Sequence, residues 1–91
     1  MNGERIRLIK ERLTSTLGLC TVEVTDDSHL HIGHAGASDG RGHFSVTIVS
    51  DLFSEHSAIT RHRLVYEALG DLMRTDIHAL SIKALTTKET T

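Results

Sequence analysis

Residues 59–86 read ITRHRLVYEALGDLMRTDIHALSIKALT, and they decide the fold. Leu64, Val65, Ala68, Leu69, Leu72 and Met73 recur with helical spacing and make one broad apolar stripe. After Asp76 the period drops to two. Leu80, Ile82 and Ala84 alternate with Ser81 and Lys83, as in a strand buried on one face. The stretch predicts a helix, a tight turn and a strand. Two polar groups in it are not needed for packing: Arg61-His62-Arg63 opens the helix, and His78 stands on the turn just before the strand.

Working back toward the N-terminus, the spacing of Ile6, Ile9, Leu13 and Leu17 predicts a helix over residues 3–17, with Asn2 as its cap and Gly18 ending it. Its many charged side chains are the solvated face. Cys20, Val22 and Val24 alternate with Thr21 and Glu23, a first strand over residues 20–25 with Cys20 inward as a small hydrophobe. Phe44, Val46 and Ile48 alternate with Ser45 and Thr47, a second strand over 43–49. Between them, residues 26–42 (DDSHLHIGHAGASDGRG) form a long loop holding four of the seven glycines and three of the seven histidines. Loops of that length in small domains are commonly functional. Leu52 and Phe53 anchor the connection before the central helix, for which Thr60 is the candidate cap. The tail from about residue 87 is polar and expected to fray.

The order is α-β-β-α-β. Directly joined strands pair antiparallel, and strands joined through a helix pair parallel. The fold class is therefore α+β: a mixed three-stranded sheet with two main helices on one face, a sandwich topologically like a type II KH domain, in a single domain over residues 1–91.

Composition narrows the function. The 91 residues are 24% charged and 38% hydrophobic with a formal net charge of −2, so the whole chain is not built to attract DNA or an anionic membrane, although a local basic patch is compatible. No apolar run approaches the roughly 20 residues of a membrane span, and the charged first helix does not resemble a signal peptide. The single cysteine suits a reducing compartment, and a cytoplasmic location is expected. No nucleophile–base pair, phosphate loop or metal-hydrolase motif stands out, so no enzyme is expected.

Four separated blocks, DDSHLHIGHAG, HFSVTIVSDLF, RHRLVY and IHALSIKA, resemble the BolA family in order and spacing over residues 22–86. The resemblance implies the same KH-like α+β fold. It also implies an adaptor that partners a monothiol glutaredoxin of the CGFS type in iron–sulfur cluster trafficking, assembly or iron regulation. Together the two proteins would hold a [2Fe–2S] cluster shared with glutathione and not tightly bound by the isolated chain. By resemblance, His78 is the C-terminal ligand and His31 the loop ligand, with His34 and His29 as rivals. Imidazole ligation of one iron by two histidines has precedent in Rieske centres. Cys20 is not at the loop-ligand position. Many family members carry a proline after the last strand, and Thr86-Thr87-Lys88-Glu89 has none.

Other readings stand beside this one. His29, His31 and His34 in one loop suggest zinc, but their spacing is not a standard one and the cysteines of a structural site are missing. Some BolA-like proteins are described as regulators of transcription and of the stress response, so KH-like DNA binding is the alternative function. Arg61, His62, Arg63 and Arg41 would then meet phosphates, whereas in the adaptor reading Arg61, His62 and Arg63 face the glutaredoxin partner. Gly33-His34-Ala35-Gly36 has the form of the KH clamp but lies between strands rather than helices, and three aromatic residues make a poor stacking platform. A homodimer is compatible with either reading.

Overall fold

Both main helices lie on one face of a mixed three-stranded sheet. The computed structural model describes residues 2–18, 20–27 and 42–90. The elements are α1 (Asn2–Leu17), β1 (Thr21–Asp26), β2 (Gly42–Val49), α2 (Ala58–Leu69), the single turn α3 (Leu72–Thr75) and β3 (Ile77–Leu85), with 3₁₀ turns at Asp51–Phe53 and Lys88–Thr90. The strand order is β1-β2-β3. β1 pairs antiparallel with β2, and β3 pairs parallel with β2, as the two kinds of connection require.

Register explains the core. Val24 and Ile82 flank Val46, and Val22 and Ala84 flank Ile48, so the inward residues of all three strands form one apolar layer. Ile9, Leu13 and Leu17 of α1 and Val65, Ala68 and Leu69 of α2 close over it. The opposite face of the sheet carries Glu23, Thr25, Ser81 and Lys83 exposed to solvent. One face is thus sealed by helices and the other is left polar.

The helix termini differ from expectation in instructive ways. Ser57, not Thr60, caps α2: its Oγ accepts from the Thr60 N–H at 3.2 Å. At the other end the apolar stripe runs on, but the helix does not. Gly70 takes φ +52°, a conformation costly for side-chain-bearing residues. Its N–H still closes on the Tyr66 carbonyl at 3.0 Å, and Arg12 donates to the Leu69 carbonyl at 3.1 Å. Leu72 therefore reaches the core from a separate turn.

The residues expected to fray past the last strand hold a clasp. Thr86 is buried. Its N–H donates to Glu89 Oε1 at 2.9 Å, and the Glu89 N–H donates back to Thr86 Oγ1 at 3.3 Å, a reciprocal cap. The Glu89 carboxylate receives Arg61 Nη1 and Nη2 at 2.6 and 3.0 Å. Thr87 donates to Asp51 from its hydroxyl at 2.8 Å and its N–H at 3.2 Å, which lowers the Asp51 pKa.

Two outcomes are expected from this packing. Leu69→Ala should cost on the order of 2–5 kcal/mol, read from a denaturant titration, because Leu69 is fully buried between the helices and the sheet. The Arg61 hydrogen bonds, followed by the Thr86 N–H, hold the Glu89 carboxyl at about 2, below its ordinary 4.5. A depressed folded pKa stabilises above the ordinary value and ceases to do so as pH falls through the folded value. Amide protection of Thr86 and Glu89 should therefore persist to acidic pH, fade between about 4.5 and 2, and lose this dependence in Glu89→Gln.

Candidate functional site

The first turn of β3 breaks the alternation that governs the rest of the strand. By parity with Leu80, Ile82 and Ala84, an unbroken strand would send His78 into the core. Instead, Ile77 pairs with Gly42 and Ala79 pairs with His43, so two residues of β3 pass one step of β2. His78 is the extra residue, a bulge on an edge strand, and bulges re-aim side chains. Ile77 is fully buried, while His78 and Ala79 are both exposed. The slip keeps an isoleucine in the core and turns the histidine out.

Beside His78 lies His43. The two ring centroids are 5.1 Å apart with the planes tilted by 51°. His43 precedes Phe44 and so shares the sheet's polar face with Ser45 and Thr47, yet it is only 7% exposed. Its strand is the central one and its flanks are tied on both sides. The His43 carbonyl accepts from the Asp27 N–H at 2.7 Å, and the Gly42 N–H donates to Asp76 O at 2.9 Å. Asp27 also receives the Ser45 hydroxyl, and Arg5 bridges from α1 to Asp76 at 3.2 Å. The arrangement is a buried imidazole on a strand tied from both sides, beside an exposed one.

Measured against the sequence reading, His78 lies inside the strand as its second residue, not on the turn before it. The loop candidates His31, His34 and His29, together with Arg41, fall outside the described residues. Arg61-His62-Arg63 divides. Arg61 turns inward, donating to the Ala84 carbonyl at 2.9 Å, the His56 carbonyl at 3.0 Å and Glu89, with its guanidinium carbon 5.9 Å from the Phe53 ring centroid. His62 and Arg63 face out and line a shallow groove with Ile59, Tyr66 and Glu67, where Ile59 is 74% and Tyr66 42% exposed. Arg61 meets β3 at Ala84, about 20 Å along the strand from His78, so the basic block and the histidine pair do not adjoin. Cys20 packs partly buried against the core, and burial pushes its thiol pKa up, which suits an unreactive side chain. His43, buried beside His78, is not marked by any motif in the sequence. Its place on the outward parity of a strand otherwise lined by small polar residues was the available signal.

A family model described as BolA-like protein matches residues 13–89. The chain belongs to the BolA family. Its sequence is 42% identical to SufE-like protein 1, chloroplastic/mitochondrial, of Arabidopsis thaliana over 96% of this chain and 25% of that protein. The solved BolA domain of SufE1 superposes with a TM-score of 0.82 over 96% of each chain. Protein BOLA1, chloroplastic, of the same plant is 39% identical over 93% of this chain and 55% of that protein. The DNA-binding transcriptional regulator BolA of Escherichia coli is 36% identical over 89% of this chain and 74% of that protein. The chain thus spans a quarter and about half of the two plant relatives. These relatives overturn the cytoplasmic expectation: the 42% identical protein is chloroplastic/mitochondrial. A lone cysteine excludes an internal disulfide, and that does not single out the cytosol.

The divided basic block makes a prediction. Arg63→Ala should leave stability within about 0.5 kcal/mol, as for an exposed surface residue. Arg61→Ala should release residues 86–90, seen as lost amide protection at Thr86 and Glu89.

Proposed function

We propose that this BolA-family chain is an adaptor that joins a monothiol CGFS glutaredoxin and glutathione around a [2Fe–2S] cluster, in cluster trafficking, assembly or iron regulation. The observation that carries this reading is the bulge that presents His78 on the open face of the sheet. When bound, the cluster supplies iron sites that accept imidazole nitrogen. The donor chemistry fits: His78 is exposed and sits on an edge strand held by the central one. In this reading the glutaredoxin and glutathione supply the remaining ligands of the cluster. His31 is the second ligand from this chain in this reading, with His34 and His29 as its rivals. His62 and Arg63, with exposed Ile59 and Tyr66 beside them, offer a surface for the protein partner.

DNA binding is the second reading, favoured by the relative named as a DNA-binding transcriptional regulator. The α-β-β-α-β order with both helices on one face supports the type II KH-like comparison. His62 and Arg63 are the basic-block residues left outward for phosphate, and any such affinity should fall steeply with salt.

The test is reconstitution with a CGFS glutaredoxin, glutathione, iron and sulfide. His78→Ala should fold normally and lose the visible absorption and circular dichroism of the mixed cluster. An unchanged spectrum and cluster lifetime in that variant would remove the cluster reading. Nanomolar, sequence-selective binding to duplex DNA at physiological salt would put the second reading first.

A further inference from the structure

We propose that His43 is a positioning residue for His78, the seat that fixes how the outer imidazole is presented; this rests on the cluster reading above. The geometry carries it. His78 is the surplus residue of a bulge, so Ile77 and Ala79, not His78 itself, take the Cα partners on β2. A side chain on such a residue at a sheet edge owes its orientation to what it packs against. The described ring beside it belongs to His43, with centroids 5.1 Å apart, within the distance range of ring pairs, and planes tilted by 51°.

His43 is suited to hold rather than to ligate. It is only 7% exposed, too enclosed to reach a cluster gripped mainly by another protein. It belongs to the central strand, with its carbonyl bound from the β1 side by Asp27 and the preceding amide bound from the β3 side by Asp76. A residue anchored on both flanks gives the ring above it a fixed platform. Groups that orient a metal-bound imidazole from behind commonly govern affinity as strongly as a weak ligand does.

The experiment compares His43→Ala, which removes the platform, with His43→Phe, which keeps a ring of similar breadth without a donor nitrogen. In the iron-free chain, the His78 ring resonances should shift and its ring mobility should rise in His43→Ala, while His43→Phe keeps the ring ordered. In the complex reconstituted with CGFS glutaredoxin, glutathione, iron and sulfide, His43→Ala should lose cluster on the order of 10-fold faster. Its pulsed EPR on the reduced cluster should show a broadened ¹⁴N coupling, whereas His43→Phe should retain both the coupling and the lifetime of the wild type. Should His43→Ala fail to fold by far-ultraviolet circular dichroism, His43→Gln fills much of the space without a ring and takes its place. Wild-type ring order and cluster lifetime in the ringless variant would overturn the proposal. So would a His43→Phe variant that loses its ¹⁴N coupling as His78→Ala does, because His43 would then be a ligand. If His78→Ala itself keeps an unchanged spectrum, the cluster reading falls and takes this proposal with it. The iron-free ring measurements would then report a packing contact alone, so the two failures are told apart.

Discussion

A slip of one residue between two parallel strands sets the rest of this molecule. β3 must deliver Leu80, Ile82 and Ala84 to the apolar layer and also bury Ile77 at its head. Strict alternation cannot do both, because residues 77 and 80 have opposite parity. The bulge reconciles them, and its by-product is an exposed histidine. Core packing and the candidate site are therefore two results of one backbone irregularity. The slip itself needs no separate device to hold it, since straightening the strand with its sequence intact would drive Ile77 into water.

How much of this was legible in the residues follows from what the patterns can encode. The two-residue and 3.6-residue periods located all three strands and both main helices, and the connections determined parallel and antiparallel pairing. The break at Gly70 was hidden because Leu72 continues the helical stripe although the backbone has turned, so an apolar pattern records burial and not continuity of hydrogen bonding. The bulge was hidden for a related reason. Reading alternation outward from Leu80 ends the strand before His78, because two adjacent exposed residues look like a turn. His78 could be nominated from family resemblance, but its seat on His43 joins residues distant in sequence and depends on the register of β2 against β3.

The Arg61-His62-Arg63 block shows how one run of basic residues can serve unlike ends. On a helix, successive residues point about 100° apart, so a run of three cannot share one face. Arg61 faces the sheet and ties α2 to Ala84 and Glu89, while His62 and Arg63 remain with Ile59 and Tyr66 on the outer side. An arginine suits the inner place, since its planar fork can grip a carboxylate with two nitrogens and lie near an aromatic ring.

The central position of β2 carries a consequence for the order of assembly. Its antiparallel partner precedes it directly, but its parallel partner arrives only after the whole helical connection has been laid down. Pairings of that kind close slowly, because the intervening chain gives up its freedom before the contact is won. His43 stands on one side of this late seam and His78 on the other. A nascent or partly folded chain can contain both histidines without bringing them together. The juxtaposed pair is thus a certificate of completed folding, presented only once the last strand has docked.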